Sequence, residues 1–426
     1  MKNLSFIGAG YVGLCNGVGF TILGYKVTVV DIDEEKVRII NSGLSPIYEE
    51  GLEKSLKDVL NSGLFKATTI IQDAIDNSEV TFLCVQTPQR SNGSIDLKYV
   101  IKAAKEIGKC LRNKNWHLVV IKSTVVPSTT EEKIIPILEK YSGKSVGEDF
   151  GVCNSPEFLS EGDALNNFFN PDRIIIGEYD EKSGNLLEEV YSCFDKKIPR
   201  LIVDMKTAEM IKYASNAFIG MKISFANEIG NISKLLGIDG RKVMDGVGLD
   251  HRFSRYFNQP GLGFGGPCIK KDILALINEA RSRGYDSRIL KNIIEINNMQ
   301  TDILLQLIKI KIRDNKFKTV GILGLSYKEN VSDIRGSSSI KIISELNNMN
   351  VNILAYDPKV EENMRKLFPK IDYKLSGQEV IDNSDLIIIL TKWMEFSELN
   401  YTNKSVIDGK GVISKEKCKE YEGICW

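Results

Sequence analysis

The stretch Asn3-Leu-Ser-Phe-Ile-Gly-Ala-Gly-Tyr-Val-Gly13 decides the fold of this chain. Its first half is a short apolar run that predicts a β-strand, and its second half has the spacing G-x-G-x-x-G. A helical segment follows, and then a second apolar run, residues 26–30, ends at Asp31. A strand, a glycine turn, a helix and a strand that ends in an acid predict a dinucleotide-binding sheet.

The glycines and the acid each have a physical role in that prediction. Gly8 makes the turn, Gly10 lets a pyrophosphate approach the backbone, and Gly13 lets the helix pack closely on the strand. The helix N-terminus then stabilises the phosphates. Asp31 favours NAD over NADP, because its carboxylate accepts hydrogen bonds from ribose hydroxyls and repels a 2′-phosphate. A tight turn without a ligand is the alternative, and the acid after the second strand argues against it.

The order of predicted elements gives the architecture. Strands alternate with helices up to about residue 198, a long helix covers about 204–237, and residues 318–391 repeat the opening pattern without G-x-G-x-x-G. We therefore predict an α/β fold: two Rossmann-like doubly wound parallel-sheet domains joined by a long central helix and a helical segment. Three domains are predicted, residues 1–203, 204–312 and 313–426. The first of them is expected to bind NAD. The last one is not expected to bind a dinucleotide in the same way.

Composition excludes several classes of function. Lys and Arg together number 56, as do Asp and Glu, so no basic excess indicates a nucleic-acid partner. No apolar run approaches the roughly 18–20 residues of a membrane span, and the chain starts without a signal-peptide pattern, so we expect a cytoplasmic protein. The eight cysteines include no C-x-x-C pair, so no metal site is expected.

The loop Gly261-Leu-Gly-Phe-Gly-Gly-Pro-Cys-Ile-Lys-Lys-Asp272 presents one cysteine, Cys268, in a glycine-dense setting. A simple alcohol dehydrogenase needs no nucleophile. A thiolate captures an aldehyde as a thiohemiacetal, and a second oxidation then gives a thioester that water hydrolyses. The four glycines of the loop allow the backbone to approach a ligand closely. Cys268 is therefore the first candidate for the catalytic nucleophile.

Polar residues four positions apart complete the candidate site. Lys212 and Asn216 project from one face of the predicted long helix, where they would stabilise an oxyanion or hold a water, unless they are only a solvated edge. Glu157 and Glu161 follow a predicted strand and serve as a base or merely charge a helix N-terminus. Asp272 follows the cysteine by four residues, and in a helix that begins there it would lie beside the thiol and position a water.

With these residues assembled, the chain resembles the nucleotide-sugar dehydrogenases of the UDP-glucose/GDP-mannose dehydrogenase family over essentially its whole length. The matching motifs are GAGYVG (8–13), KSTVVP (122–127), SPEFLSEG (155–162), PDRIIIG (171–177), AEMIKYASNAF (208–218), GFGGPCIKKD (263–272) and GLSYKENVSDIR (324–335). The resemblance implies an NAD-dependent, four-electron oxidation of UDP-glucose at C6 to UDP-glucuronate, through a thiohemiacetal and a thioester on Cys268. It also implies a homodimer built around the central helix, or a higher oligomer, with UDP bound by the second α/β domain.

The resemblance further implies three sets of site residues. The catalytic set is Thr124, Glu157, Glu161, Lys212, Asn216, Cys268 and Asp272. The cofactor set is Gly8, Gly10, Tyr11, Val12, Gly13, Asp31, Lys36, Thr87, Thr124, Glu161, Lys271 and Arg335. The substrate set is Glu157, Phe158, Leu159, Lys212, Asn216, Arg252, Phe257, Gly265, Cys268 and Lys328. Within the last set, Arg252 matches a position that reaches the substrate of the neighbouring subunit.

The chain departs from the family pattern at a few positions, which leaves the sugar open. Phe253-Ser254 stands where Ile-Gly is frequent, and Lys410 stands where an arginine is common. Pro267 replaces the serine usual in UDP-glucose enzymes and the histidine usual in UDP-N-acetylhexosamine enzymes, whereas Lys271-Asp272 favours the glucose branch. The alternatives are oxidation of UDP-N-acetylglucosamine or UDP-N-acetylmannosamine, a two-electron hydroxyacid dehydrogenase of the 6-phosphogluconate type, and a non-catalytic nucleotide-binding regulator.

Overall fold

The computed structural model describes residues 2–426. The chain divides between Ser215 and Asn216 into two compact units, and this boundary falls inside the helix Met205–Leu235. Across residues 2–426, no helix combines the length and the apolar character that crossing a bilayer requires.

In the described part of the first unit, eight strands form one sheet in the order β3-β2-β1-β4-β5-β6-β7-β8. The strands are β1 Leu4–Ile7, β2 Val27–Val30, β3 Phe65–Thr68, β4 Val80–Leu83, β5 Leu118–Ile121, β6 Gly151–Asn154, β7 Ile174–Glu178 and β8 Arg200–Asp204. The helices are α1 Tyr11–Ile22, α2 Glu34–Asn41, α3 Leu52–Asn61, α4 Ile71–Asp76, α5 Lys98–Leu111, α6 Ile135–Ser142, α7 Ala164–Phe169, α8 Glu181–Tyr191 and α9 Met205–Leu235, with a π-helical turn Thr130–Ile134 before α6.

Burial explains which of these strands the sequence reveals. All residues of β1, β2, β4, β5 and β6 are buried, because helices cover both faces of a parallel sheet and its central strands become continuous apolar runs. The strands β3 and β8 were not predicted. They lie at the two ends of the sheet and are partly exposed, so they lack such runs.

One pairing departs from the parallel pattern, since β7 runs antiparallel to β6. The connection from β6 to β7, residues 155–173, contains the short helix α7. The chain re-enters the sheet in the direction opposite to β6, and β8 then pairs with β7 in parallel.

The glycine turn between β1 and α1 is closely packed. Gly8 has a φ of +109°, in the region that other residues rarely adopt. A Cβ added at Gly13 would lie 1.8 Å from the carbonyl oxygen of Gly8, so a larger residue at position 13 would push the helix away from the turn.

In the second unit, six parallel strands form a sheet in the order β11-β10-β9-β12-β13-β14, as far as the described residues show. The strands are β9 Thr319–Leu323, β10 Asn352–Tyr356, β11 Asp372–Tyr373, β12 Leu386–Ile389, β13 Ser405–Asp408 and β14 Glu420–Gly423. The helices are α10 Gly240–Val247, α11 Ile269–Ser282, α12 Arg288–Asn315, α13 Ser338–Asn347, α14 Glu361–Leu367 and α15 Gly377–Asp382. The first six strands of both sheets share the order 3-2-1-4-5-6, so the predicted fold class and its internal repeat are confirmed.

The acid that ends the second strand of each sheet is used differently. Asp31 is partly exposed, and its Oδ2 accepts the backbone N–H of Ala9 at 2.9 Å. Its counterpart Asp357 is buried and accepts hydrogen bonds from six donors. These are the backbone N–H groups of Leu325, Ser326, Lys359 and Val360, the hydroxyl of Ser326 and the indole N–H of Trp393. Asp357 thus has no capacity left for a ribose hydroxyl. This explains why the second sheet is not expected to bind a dinucleotide in the way that the first sheet does.

We predict that Asp357→Ala lowers the free energy of unfolding of the second unit by about 3 kcal/mol or more, because several buried N–H groups lose their acceptor. Urea unfolding followed by tryptophan fluorescence measures this change. The control is Asp372→Ala, which removes an exposed acid of β11 and is expected to change the free energy by less than about 0.5 kcal/mol. Equal effects of the two substitutions would show that the acceptor role of Asp357 is misassigned.

Candidate active site

Glu157 lies in the loop after β6, and its carboxylate is surrounded by donors. Oε2 is 3.3 Å from the ammonium of Lys122 and accepts the side-chain amide of Asn16 at 2.8 Å. Oε1 accepts the backbone N–H groups of Phe158 at 2.7 Å and Leu159 at 2.9 Å. The loop therefore folds around this carboxylate, which is a structural anchor as well as a candidate base.

Both members of the Glu157–Lys122 pair are charged. Burial raises the pKa of Glu157, but the Lys122 ammonium and the hydrogen bonds from Asn16 and the backbone outweigh burial, so the pKa falls below its ordinary value. Burial lowers the pKa of Lys122, but the charge of Glu157 outweighs burial and raises it above its ordinary value. The sheet edge thus contains a fixed negative charge and a fixed positive charge in contact.

The segment that contains Glu161 is held by a buried acid, Glu49. Its carboxylate accepts the backbone N–H groups of Gly162 at 2.9 Å and Ala164 at 2.7 Å. The preceding residue, Tyr48, accepts the hydroxyl of Tyr11 at 3.1 Å through its backbone carbonyl. Residues 48 and 49 therefore connect the start of α1, next to the glycine turn, with the loop of Glu161.

Lys212 lies on α9 close to the same loop. Its ammonium is 5.2 Å from the ring centre of Phe158, and the guanidinium of Arg173 is 4.1 Å from that ring centre. Arg173 also donates to the hydroxyl of Ser215 at 3.2 Å. Two cations thus flank the aromatic residue next to Glu157, and cation–π attraction fixes its ring.

The glycine turn meets the requirements of a dinucleotide phosphate. A Cβ added at Gly10 would have no neighbour within 4 Å, and Gly10 precedes α1 without any side chain that caps the helix. Space and backbone N–H groups are therefore available at the helix N-terminus. The carboxylate of Asp31 is 3.1 Å from the ammonium of Lys36, and its Oδ1 accepts the N–H of Asp33, so one oxygen keeps capacity for a ribose hydroxyl. These residues fit NAD.

The residues expected around the thiol partly come together in the second unit. Helix α11 begins at Ile269 rather than near Asp272, so Cys268 stands directly before its first turn, and the thiol residue is exposed. Asp272 is buried in that turn and accepts the amide of Asn216 and the ammonium of Lys271, both at 2.6 Å. The carboxylate therefore orients an amide and a lysine beside the cysteine-bearing turn.

The glycine loop before Cys268 packs against the segment that contains Lys328 and Arg335. A Cβ at Gly265 would lie 2.7 Å from the carbonyl oxygen of Gly336, and one at Gly266 would lie 2.7 Å from the ring of Tyr327. The N–H of Gly266 donates to the carbonyl of Arg335 at 3.1 Å. The two glycines thus permit close contact between the segments. A residue with a Cβ at position 265 or 266 would clash with Gly336 or Tyr327, which explains why glycine occupies both positions.

Arg252 and Phe257 belong to an exposed loop that is held by a lysine. The guanidinium of Arg252 binds both carboxylate oxygens of Asp250, at 2.6–3.1 Å. Ser254 and Phe257 have φ angles of +61° and +56°. The ammonium of Lys222 donates to the carbonyls of residues 253, 254 and 256. The positive φ of Ser254 is a conformation that glycine adopts without strain, which accounts for the glycine frequent in the family at this position.

Other predicted site residues lie at the carboxyl ends of strands, where ligands bind open sheets. Thr87 is buried in the segment after β4, and Thr124 is half-buried after β5. Sequence reasoning gave no role to the residues that hold Glu157 and the neighbouring loops, which are Asn16, Glu49, Lys122, Arg173 and Lys222. Lys122 and Arg173 stand within the quoted motifs KSTVVP and PDRIIIG, whereas Asn16, Glu49 and Lys222 lie outside every quoted motif.

Three family models match consecutive parts of the chain. The NAD binding domain of the UDP-glucose/GDP-mannose dehydrogenase family matches residues 2–195, its central domain matches 206–299, and its UDP binding domain matches 321–415. The chain belongs to this family. It is therefore an NAD-dependent dehydrogenase of UDP-sugars, which confirms the resemblance and the cofactor. The exact domain boundaries and the roles of individual side chains stay predictions.

Similar proteins cover the whole chain. UDP-glucose 6-dehydrogenase of Haloferax volcanii is 39% identical over 430 residues, which covers 99% of both chains. GDP-mannose 6-dehydrogenase of Pseudomonas aeruginosa is 37% identical over 441 residues, covering 99% of this chain and all of its own. The solved UDP-glucose dehydrogenase of Pyrobaculum islandicum is 38% identical and superposes with a TM-score of 0.95, covering 100% of this chain and 98% of its own.

We predict that Lys122→Met lowers the free energy of unfolding by about 3 kcal/mol or more at neutral pH, because it leaves the buried Glu157 carboxylate without its cation. The native pKa of Glu157 is lowered, so the stability from this pair is present above the ordinary carboxyl pKa and is lost as the pH falls. The loss caused by the substitution should therefore shrink toward about pH 4. Urea unfolding at several pH values measures it.

The matched control is Lys102→Met, which removes an exposed lysine from α5 and should have little effect at any pH. Adding Glu157→Gln to Lys122→Met should recover part of the stability. A loss of the same size at about pH 4 and about pH 8 would contradict the ion-pair explanation.

Proposed function

We propose that this protein oxidises UDP-glucose at C6 to UDP-glucuronate in two successive NAD-dependent steps. The observation that carries the proposal is the setting of Cys268. It is exposed directly before α11, and the buried Asp272 in the first turn of that helix orients Asn216 and Lys271. A two-electron alcohol dehydrogenase needs no such nucleophile.

The proposed mechanism assigns a task to each group. NAD would supply the hydride acceptor, one molecule for each of the two oxidations. In the first, Glu161, or a water held by Thr124, takes the hydroxyl proton as the hydride leaves C6, which gives the aldehyde. The Cys268 thiolate then adds to the aldehyde carbon, and the aldehyde oxygen takes up a proton. In the second oxidation the thiohemiacetal gives this proton to a base and loses a hydride from C6, which leaves a thioester. Water attacks the thioester carbon, the C–S bond breaks, and the carboxylate leaves.

Two polar side chains of α9 stabilise the oxygen that gains charge in this scheme. Lys212 supplies a positive charge and Asn216 an amide donor, the groups that stabilise an oxyanion. Asp272 fixes the amide of Asn216 through the hydrogen bond of 2.6 Å and thereby its donor direction. Glu157 acts mainly through its charge and its place in the loop, because Lys122 and three hydrogen bonds already occupy it.

The choice of UDP-glucose rests on two observations. Residues 321–415 match a UDP binding domain, and the relatives from Haloferax volcanii and Pyrobaculum islandicum are named for UDP-glucose. The Pseudomonas aeruginosa relative is named for GDP-mannose, and its identity to this chain is similar. UDP-N-acetylhexosamines, GDP-mannose and small hydroxyacids are therefore the alternatives that the assay must include.

We predict that the enzyme forms two NADH per UDP-glucose consumed and prefers this sugar to GDP-mannose and UDP-N-acetylhexosamines. Cys268→Ser should reduce complete turnover by several powers of ten and keep NAD binding, because serine does not readily form the thioester. Cys418→Ser, a thiol of the last strand region, is the control. One NADH per substrate would move the protein to the two-electron class, whereas preference for another nucleotide sugar would change only the substrate.

We also propose a homodimer through an exposed apolar face of α9. Phe218, Phe225 and Ile232 are seven residues apart, so they share one face of the helix, and they are 58%, 52% and 50% exposed. A contiguous apolar face of this kind marks an interface between proteins. The family resemblance implies the same helix as the centre of a dimer.

We predict that Phe225→Lys shifts the protein from dimer to monomer in sedimentation equilibrium, because it places a charge in the buried centre of the interface. Tyr285→Lys changes a more exposed aromatic residue after α11 and should leave the dimer intact. A wild-type protein that is monomeric at micromolar concentration would contradict the proposed interface.

A cytoplasmic location follows from the same proposal. All eight cysteines lie in the described part of the chain and are free thiols, which suits a reducing compartment. A reducing compartment also protects an exposed catalytic thiol from oxidation.

A further inference from the structure

Glu209, near the start of α9, is a buried acid to which the proposed mechanism assigns no task. Its residue is 2% exposed. Oε1 accepts the backbone N–H of Thr130 at 3.0 Å and the hydroxyl of Thr130 at 2.6 Å. Oε2 is buried and has no hydrogen-bond partner within residues 2–426. Burying an acid with one oxygen unused is costly, so packing alone does not explain its presence.

Thr130 stands at the end of the loop that contains Thr124. This loop, residues 122–129, starts directly after β5 and leads into the π-helical turn Thr130–Ile134. Ser128 within it has a φ of +76°, a conformation that persists only where the surroundings hold it. Since β5 fixes one end of the loop, the hydrogen bonds to Glu209 fix the other.

The same acid lies three residues before Lys212, in the adjoining turn of α9. The hydrogen bonds to Thr130 therefore connect the helix turns that carry Lys212 with the loop that carries Thr124. A second connection, between Lys206 and Glu131 at 2.6 Å, lies at the surface. Exposed ion pairs contribute little, so Glu209 provides the main connection.

The surroundings of Glu209 make this connection dependent on charge. Burial raises the pKa of Glu209 to about 7, the hydrogen bonds from Thr130 and from the backbone of Ser128 oppose this rise, and the charge of Glu131 adds to it. Lys206 neutralises Glu131 and not Glu209, and β7 packs on this turn through Gly177, which has no side chain. An ionised carboxylate accepts stronger hydrogen bonds than a protonated one, so the connection tightens as the pH rises through this range.

We propose that Glu209 is a positioning residue that holds the Thr124 loop in register with the Lys212 turn of α9. It does not contact the reacting atoms and acts through Thr130. The inference rests on the proposed function, in which Thr124 and Lys212 take part. Small displacements of such groups strongly affect the rate of a reaction.

The test compares Glu209→Gln and Thr130→Val with wild-type enzyme between pH 6 and pH 9. Gln keeps the accepting oxygen but never carries a charge, and Val keeps the shape of Thr130 without its hydroxyl. The ratio of wild-type kcat to variant kcat should rise about tenfold with a midpoint near pH 7, while KM for NAD and for the sugar stays within about twofold. Glu132→Gln, at an exposed position of the same π-helical turn, is the control and should give a ratio that does not vary with pH.

A ratio that is flat for Glu209→Gln, or a loss confined to KM, would overturn the proposal. The assay uses whichever nucleotide sugar the enzyme oxidises. A preference for a different sugar, or one NADH per sugar, would therefore refute the proposed function, and the kcat ratio would still test the role of Glu209.

Thermal unfolding provides a measurement that does not depend on activity. Because the native pKa of Glu209 is raised, wild-type stability falls as the pH rises from the ordinary carboxyl value to about 7, and Glu209→Gln lacks this fall.

The melting temperature of Glu209→Gln relative to wild type should therefore be higher at pH 8 than at pH 5. A difference that does not change with pH would overturn the proposal as well, because Glu209 would then not be a buried group that titrates. If Thr130→Val fails to fold, Glu209→Gln alone still decides both measurements.

Discussion

Backbone N–H groups at the carboxyl ends of parallel strands impose the constraint on which this structure depends. Where a strand ends, its loop leaves N–H groups without a partner in the sheet, and buried N–H groups must be satisfied. The chain meets this need with carboxylates. Asp357 accepts four backbone N–H groups, as does Asp408, while Glu157 and Glu49 accept two each. The loops that form the candidate site are therefore folded around negative charges.

The electrostatics of the site depend on the charges beside these carboxylates as well as on their hydrogen bonds. Burial raises the pKa of Asp408 although it accepts four backbone N–H groups, whereas the Lys122 ammonium, together with hydrogen bonds, lowers the pKa of the buried Glu157. Glu209 is the contrasting case, because its hydrogen bonds from Thr130 and from the backbone of Ser128 do not outweigh burial, which raises its pKa to about 7. Two acids of the first unit thus differ in pKa because Glu157 has the Lys122 ammonium in contact, whereas the charge of Glu131 adds to the effect of burial on Glu209.

The sequence predicted those parts of the fold and site that local patterns encode. The glycine turn, the buried strands and the spacing of four between Cys268 and Asp272 follow from neighbours in sequence, and the structure contains the corresponding strands and helices. The edge strands β3 and β8 were missed because exposure interrupts their apolar runs. The partners Asn16 and Glu49 were missed because they lie more than 100 residues from the groups that they hold, and only folding brings them together.

The left-handed backbone at Ser254 has an evolutionary consequence. A serine in this conformation is strained by about 1–2 kcal/mol, and the Lys222 ammonium, which gathers three carbonyls of the loop, offsets that strain. A glycine at position 254 would carry no such strain and would relax the demand on residue 222. The two positions are therefore epistatic: the substitutions that lineages of this protein tolerate at 222 depend on the residue already present at 254.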